Sequence, residues 1–310
     1  MNSPKATAHH RNDHILPKGI RAIWKLPDEK LGSLWDSIII DEGTKKRLLS
    51  QAVLNFTLRG KVDRAVLPLH GVILLVGPPG TGKTSLARGL GHRVAKTFPG
   101  NDGFRLLEVE PHSLTSAAMG KTQRAVMELF SQSIAEAAAN GPTVVLLDEV
   151  ETLAADRSKL SLEANPVDVH RATDAVLVQL DALAEQHPNL LFVATSNFPE
   201  AVDSAFTSRC DLVLEIPLPD REACSRILAD CLTGLGRTYP LIGKLTKSSD
   251  FGRCAAECEG LDGRAIRKMV SNALASSPET AMSPETVTLA DLLAAAKAAK
   301  KSRAHGGLKR

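Results

Sequence analysis

Residues 77–84 read GPPGTGKT, a glycine-rich segment that ends in a lysine and a hydroxyl residue. An apolar run, GVILLVG, leads into it, and a helix-forming run, SLARGLGHRVAKTF, follows it. In this context glycines let successive backbone N–H groups face a phosphate, and the following helix adds its positive N-terminal end. The lysine then reaches the β- and γ-phosphates, and the hydroxyl ligates Mg²⁺. The pattern predicts a nucleoside triphosphate site formed by Gly77, Pro78, Pro79, Gly80, Thr81, Gly82, Lys83, Thr84 and Ser85.

Two acidic residues end a second apolar run, TVVLLDE, at positions 148 and 149. Asp148 is predicted to hold Mg²⁺ together with Thr84, because carboxylate and hydroxyl oxygens suit that ion. Glu149 is placed to polarise a water for attack on the γ-phosphate. The alternative is a pair of solvated turn residues, and the phosphate-binding segment argues against it. Glu151 is expected to support the loop.

Three further polar residues are candidates for the same chemistry. Asn197 ends the apolar run LLFVATS, so it either orients the attacking water or forms an Asx turn before Pro199. Arg209 is a surface charge in a lone subunit, but in a ring it could reach a neighbour's γ-phosphate. Arg264 either contacts the γ-phosphate from a second domain or is only a charge at a helix N-terminus.

Five apolar runs predict the strands that position these residues. Helix-like segments lie between the runs, which implies βαβ crossovers and a parallel sheet. After Pro219 only helix-like segments follow. The predicted domains are a disordered terminus (1–20), an α/β domain with a helical lead-in (21–217), a smaller helical domain (218–296) and a basic flexible tail (297–310). The strand candidates are GVILLVG, FRLLEVE, TVVLLD, LLFVATS and DLVLEIP.

The composition excludes several classes of protein. Its 43% hydrophobic and 24% charged residues are typical of a soluble globular chain of 310 residues. A net charge of +3 does not favour nucleic acid as a partner. Five cysteines, an odd number, argue against a disulfide scaffold and for a reducing compartment, so we expect a cytoplasmic protein. No signal peptide and no membrane span is predicted.

These elements, in this order, resemble the AAA+ ATPases from about Leu34 to Arg267. The resemblance implies ATP with Mg²⁺, a sheet of five parallel strands, a helical lid, and a homo-hexameric ring with ATP between subunits. It also implies roles for individual residues. They are Walker A Lys83 and Thr84, Walker B Asp148 and Glu149, sensor-1 Asn197, arginine finger Arg209 and sensor-2 Arg264.

A narrower resemblance rests on LWDSIIID, DEVETLAADR, HRATDAVLVQLDAL and GLDGR. These segments are similar to the pachytene-checkpoint AAA+ remodellers, which partially unfold HORMA-domain proteins. Only about 30 residues precede the match, as in the short bacterial type found beside HORMA-like proteins and nucleotidyltransferases in cyclic-oligonucleotide antiphage systems. The implied function is conversion of a closed HORMA partner to its open state, which switches the signalling off. The alternatives are a DNA-linked loader or switch and a metabolic-enzyme activase.

The segment SLTSAAMGKT (113–122) is either a plain connector or a surface that grips a substrate. In an AAA+ ring this position is the first pore loop, and the matching triplet is Ala118, Met119 and Gly120. Alanine in place of the usual aromatic residue predicts a weak grip. A second pore segment is predicted at 156–168. Ile39 and Ile40 are candidates for the adenine slot, with core packing as the alternative.

Overall fold

The computed structural model describes residues 16–100, 103–114, 121–156 and 166–306. The predicted pore triplet Ala118, Met119 and Gly120 lies outside the described residues, as do residues 157–165 of the second pore segment. The nucleotide-site candidates are all described. The fold can therefore be used to judge how that site is built.

A six-stranded sheet forms the centre of the larger domain, in the order β1-β3-β4-β5-β2-β6. The five strands expected from the apolar runs are present and parallel, which confirms that prediction. The strands are β1 Ile20–Lys25, β2 Val72–Val76, β3 Arg105–Val109, β4 Thr143–Leu147, β5 Leu190–Ser196 and β6 Leu212–Glu215.

Strand β1 takes the place of the first residues of the expected helical lead-in, and it begins at Ile20, the last residue of the segment expected to be disordered. Residues 1–15 of that segment lie outside the described residues. Strand β1 pairs antiparallel with β3 at the edge of the sheet. The Nε1–H of Trp24 donates to Glu108 on β3 at 3.0 Å, and Arg88 donates to the same carboxylate at 2.9 and 3.0 Å. Glu108 is only 3% exposed, so these donors compensate a charge that would otherwise be costly to bury.

Helices cover both faces of the sheet and form the second domain. In the larger domain they are α1 Glu29–Ser37, α2 Glu42–Leu58, α3 Lys83–Thr97, α4 Lys121–Glu128, α5 Ala135–Ala139, α6 Pro166–Gln186 and α7 Ser204–Thr207. In the lid they are α8 Arg221–Gly236, α9 Pro240–Lys244, α10 Phe251–Glu257, α11 Gly263–Leu274, α12 Pro278–Met282 and α13 Leu289–Gly306. Among the described residues, no helix combines the length and apolar character that a bilayer crossing needs.

The alternation of side chains along β2 divides the core of the larger domain into two layers. Leu74 faces a cluster that includes helices α4 and α6. Leu75 faces a second cluster that includes α1, α2 and α3. Strand β2 is buried on both faces, which explains its uninterrupted apolar sequence. The phosphate-binding segment therefore follows a fully buried strand that lies between β5 and the edge strand β6.

The lid has its own core, and its last helix extends further than the sequence indicates. Residues 297–306, expected to be part of a flexible tail, continue helix α13. Lys300 pairs with Glu257 at 3.4 Å, and Arg303 pairs with Asp262 at 3.2 Å. These ion pairs fix the basic helix against α10 and the start of α11. Burial raises the pKa of Cys258 in the lid core to about 12, so this thiol packs as an inert apolar group.

One buried arginine joins α2 to the far edge of the sheet. Arg59 is 8% exposed, and its guanidinium donates to the carbonyls of Ala184 at 2.9 Å, His187 at 3.4 Å and Leu190. Burial lowers the pKa of Arg59 to about 10, which leaves it protonated at neutral pH. The cation therefore satisfies carbonyls at the end of α6 and the start of β5.

Replacing Arg59 with alanine removes these donors and leaves buried carbonyls without partners. Each orphaned carbonyl costs about 1–3 kcal/mol, so we expect Arg59→Ala to lower the free energy of unfolding by about 3 kcal/mol or more. Urea denaturation followed by tryptophan fluorescence measures the change. Arg105→Ala is the control, because Arg105 is only half-buried and donates to a single carbonyl, that of Asn140, at 3.3 Å. Equal losses in the two variants would contradict the role of Arg59.

Candidate nucleotide site

The phosphate-binding segment has a backbone that only glycine adopts easily. The φ angles are 142° at Gly77, 83° at Gly80 and 97° at Gly82. A Cβ on Gly80 would lie 2.2 Å from Oδ1 of Asp262, and one on Gly82 would lie 2.5 Å from Cδ1 of Ile38. The glycines therefore permit a curled loop and also the close approach of the lid and of the lead-in segment.

Lys83 opens helix α3 directly after this loop. Its ammonium donates to the carbonyls of Gly77 at 2.7 Å and Pro78 at 2.9 Å, and to Oδ1 of Asn197 at 2.8 Å. Burial lowers the pKa of Lys83, nearby carboxylates including Glu151 raise it, and Arg264 on α11 lowers it further. Two positive side chains from different domains thus approach the same place, where an anionic ligand would be attracted.

Asp148 joins three elements at the ends of the strands. Its Oδ1 accepts hydrogen bonds from Thr84 at 2.8 Å and from Thr195 at 2.5 Å. The Thr195 hydroxyl oxygen in turn accepts from the backbone N–H of Glu149 at 3.1 Å. The arrangement brings the hydroxyl of α3 and the carboxylate of β4 into contact, as a shared Mg²⁺ ligand set requires. Thr195 bonds the carboxylate of Asp148 and the backbone of Glu149, and it was not selected from the sequence.

Glu149 has φ 54°, and no other described residue except glycine has a positive φ. This left-handed conformation is strained for a residue with a side chain, and such strain is often found at functional sites. The amide Nδ2 of Asn197 lies 3.4 Å from Oε1 of Glu149, and Nε2 of His112 lies 3.3 Å from Oε2. His112 was also missed. Its only sequence signal is its place just after β3, at the same edge of the sheet.

Glu151 has a larger role than loop support. Its Oε1 accepts the backbone N–H of Asn197 at 3.2 Å, which fixes the position of the predicted sensor. Its Oε2 is buried without a hydrogen-bond partner among the described residues. Its negative charge also does most to oppose the lowering of the Lys83 pKa. Glu151 therefore favours the protonated form of Lys83.

The predicted adenine residues lie where the lid meets the larger domain. Ile39 and Ile40 line a cavity of about 450 Å³ together with residues 217–220 at the start of the lid. Ile39 is also part of the lid core, so both readings of that residue have structural support. Arg267 on α11 donates to the carbonyl of Ser37 at 3.1 Å and ties the lid to the lead-in segment. Sequence reasoning did not select Arg267.

Among the described candidates for the ATPase chemistry, Arg209 lies apart from the others. It precedes β6, whereas the phosphate-binding segment follows the carboxyl end of β2, its parallel neighbour. The structure therefore groups Lys83, Thr84, Asp148, Glu149 and Asn197, with Arg264 facing them from the lid. Arg209 lies at the amino ends of the parallel strands, opposite the carboxyl ends that carry the nucleotide site.

Together the fold and the site define a P-loop nucleotide-binding protein with a helical lid. The family model described as "ATPase family associated with various cellular activities (AAA)" matches residues 73–218. The chain is 69% identical to CD-NTase-associated protein 6 of Pseudomonas aeruginosa over 97% of this chain and 99% of that protein. The chain therefore belongs to the AAA ATPase family, in the same group as that relative.

More distant relatives are the pachytene checkpoint protein 2 homologues. The chain is 34% identical to the homologue of Oryza sativa subsp. indica, over 79% of this chain but only 59% of the longer relative. The solved structure of C. elegans PCH-2 matches with a TM-score of 0.72 at 28% identity, covering 91% of this chain and 75% of that one. A chain of the E. coli MS115-1 HORMA:CdnC:Trip13 complex shares the fold, with a TM-score of 0.70 at 20% identity, covering 90% and 94%.

Thr195 offers a direct test of the carboxylate arrangement. Thr195→Val keeps the shape but removes the hydroxyl that bonds Asp148 and the Glu149 backbone, so we expect about 10-fold weaker Mg²⁺ activation of ATP turnover. The measurement is ATPase rate against Mg²⁺ concentration. Thr143→Val is the matched control, because Thr143 is also buried but its hydroxyl donates to the carbonyls of Ala137 and Gly141, away from the acids. Equal Mg²⁺ dependence in both variants would contradict the arrangement.

Proposed function

We propose that the chain is an ATP-driven protein remodeller that opens a closed HORMA-domain partner. The observation that supports this most strongly is the grouping of Thr84, Asp148, Glu149 and Asn197 around Lys83. The 69% identity to CD-NTase-associated protein 6 supports placement in a CD-NTase-linked antiphage system, where opening the partner would switch signalling off. The fold shared with the HORMA:CdnC:Trip13 complex is consistent with a HORMA partner bound to a nucleotidyltransferase. Such a protein would act in the cytoplasm.

The site suits ATP with Mg²⁺ in its chemistry and in its backbone. The glycines leave room where a Cβ would collide, and the hydroxyl of Thr84 and a carboxylate oxygen of Asp148 are 2.8 Å apart. When bound between them, Mg²⁺ would neutralise phosphate charge. Lys83 would exchange its present acceptors for the β- and γ-phosphate oxygens. Ile39 and Ile40 would contact the adenine.

Glu149 would act as the general base toward the attacking water. The Glu149 side chain is 49% exposed, so water reaches its carboxylate. Asn197 and His112 lie close enough to orient that carboxylate. Asn197, which bonds both Lys83 and Glu149, would sense whether a γ-phosphate lies between them. Arg264 on α11 would contact the same phosphate, so that loss of the phosphate would change the position of the lid. Movement of the lid would then follow hydrolysis.

Coupling to the partner would take place in a homo-hexameric ring. In that assembly the segment containing Ala118, Met119 and Gly120 would face the channel, and Met119 would supply a flexible apolar grip. The DNA-linked alternative relied on the basic residues near the C-terminus and on Arg264. Its support is weaker now, because Lys300 and Arg303 form ion pairs within the lid.

The remodelling proposal is tested with a purified HORMA–peptide complex in its closed state. We expect the wild-type chain with ATP and Mg²⁺ to release the peptide, as followed by fluorescence anisotropy. Glu149→Gln should still bind ATP but release no peptide, because the amide cannot take a proton from water. A fall in turnover of at least about 100-fold is expected for that variant.

Two outcomes would contradict this account in different ways. If the closed complex persists while the wild-type chain hydrolyses ATP, the partner is wrong although the ATPase is right. If Glu149→Gln turns over ATP at the normal rate, the assignment of the base is wrong. Glu200→Gln is the matched control, because Glu200 is exposed on the turn after β5 and has no part in the proposed chemistry.

A further inference from the structure

A second group of charged side chains lies outside the nucleotide site, near the amino ends of the parallel strands. Arg209 donates through Nε to Oδ1 of Asp181 at 2.9 Å and through Nη2 to Oδ2 at 2.7 Å. Its Nη1 donates to the carbonyl of Ala205 at 2.7 Å. The two side chains are only 25% and 42% exposed. A two-pronged, half-buried pair of this kind fixes the plane of the guanidinium.

The position of this pair excludes a contact with the chain's own nucleotide. Arg209 precedes β6, and the phosphate-binding segment lies beyond the far end of the parallel strand β2. The four residues of β6 alone span about 13 Å at about 3.3 Å per residue. If Arg209 contacts a phosphate, that phosphate belongs to a second copy of the chain.

The hydrogen bonds within the pair leave Arg209 free to make such a contact. A guanidinium has five N–H donors. Two of them point at Asp181 and one at the carbonyl of Ala205. The remaining N–H groups, on Nη1 and Nη2, can therefore approach a phosphate without breaking the ion pair.

We propose that Asp181 is a positioning residue that holds the guanidinium of Arg209 toward the γ-phosphate of ATP bound to a neighbouring copy. This inference rests on the proposed function, which gives Arg209 its role between subunits. Holding the guanidinium before the neighbour docks avoids the cost of ordering a long side chain at that moment. Asp181 itself would not touch the nucleotide.

Further hydrogen bonds connect the ion pair to the start of strand β2. Asp211, two residues after Arg209, accepts the backbone N–H groups of His70 and Gly71, both at 2.8 Å, and of Val72 at 3.2 Å. The imidazole of His70 in turn lies 4.0 Å from Asp181. The two sides of the ion pair are thus joined through the start of β2 as well as directly.

The helix that carries Asp181 also has an apolar side chain exposed close by. Val178 precedes Asp181 by three residues on α6 and is 64% exposed. Residues three apart in a helix are neighbours on one surface. An exposed valine next to the aspartate that holds the guanidinium fits a surface that is covered by a second copy of the chain.

The first experiment compares Asp181→Asn with the wild-type oligomer in steady-state ATP hydrolysis. We expect kcat to fall about 10- to 100-fold, because the guanidinium loses its fixed orientation. ATP affinity, oligomer size and melting temperature should stay unchanged, since the nucleotide site is at the carboxyl ends of the strands. Asp36→Asn is the control, because Asp36 pairs with Arg93 on a surface away from the ion pair and should keep normal kcat.

A purely structural ion pair would give a different pattern. Asp181→Asn would then lower the melting temperature and leave kcat per assembled subunit unchanged, which overturns the proposal. Asp181→Glu keeps the charge and moves the oxygens by one methylene group. It should fold like the wild type and still show reduced kcat.

The second experiment asks whether Asp181 acts on its own subunit or on the next one. Asp181→Asn subunits are co-assembled with Lys83→Ala subunits, which cannot use ATP but keep an intact Arg209 and Asp181. We expect the mixture to regain turnover, because a Lys83→Ala subunit presents a correctly held Arg209 to its neighbour's ATP. Co-assembly of Asp181→Asn with Arg209→Ala should regain nothing.

Failure of this inference is distinguishable from failure of the proposed function. If Arg209→Ala alone keeps full turnover, the role of Arg209 itself is wrong. If Arg209→Ala loses turnover while Asp181→Asn keeps it, only the positioning role is wrong. Absence of regained turnover in the mixture with Lys83→Ala overturns the action between subunits.

Discussion

The nucleotide site depends on one carboxylate oxygen, Oδ1 of Asp148. It accepts the hydroxyls of Thr84 and Thr195, and through Thr195 it also fixes the backbone of Glu149. Strands β4 and β5 and helix α3 are therefore joined at a single point. The Asp148 side chain is half-buried, and hydrogen bonds from α3 and β5 to this one oxygen fix its position. The strained backbone of Glu149 persists because the surrounding hydrogen bonds hold it.

The two ends of the parallel strands carry two different sets of charged side chains. At the carboxyl ends of the strands, Lys83 and Arg264 form a positive site for phosphate. At the amino ends, Asp181 holds Arg209 in an orientation that its own nucleotide cannot use. We infer that the complete ATPase site forms only when Arg209 of one copy meets the nucleotide bound to the next copy. Hydrolysis in the proposed remodeller would then depend on assembly.

The strongly periodic and motif-bearing parts of the chain could be predicted from the sequence. The five parallel strands follow from their continuous apolar runs, and the phosphate-binding loop from its glycines and Lys83. Strand β1 could not be predicted, because it is half exposed and its pairing with β3 is non-local. Helix α13 extends through Arg303 because of ion pairs that cannot be read along the chain. Thr195, His112 and Asp181 act through neighbours distant in sequence, so no local motif reveals them.

The most direct test of the central role of Asp148 is the affinity of the ATP-bound protein for Mn²⁺, measured by electron paramagnetic resonance. Asp148→Asn keeps an oxygen that accepts from Thr84 and Thr195, so the hydrogen bonds remain while the charge is lost. If the carboxylate holds the metal, Mn²⁺ affinity should fall by about 10-fold or more while metal-free ATP binding persists. Unchanged Mn²⁺ affinity in Asp148→Asn would contradict the account.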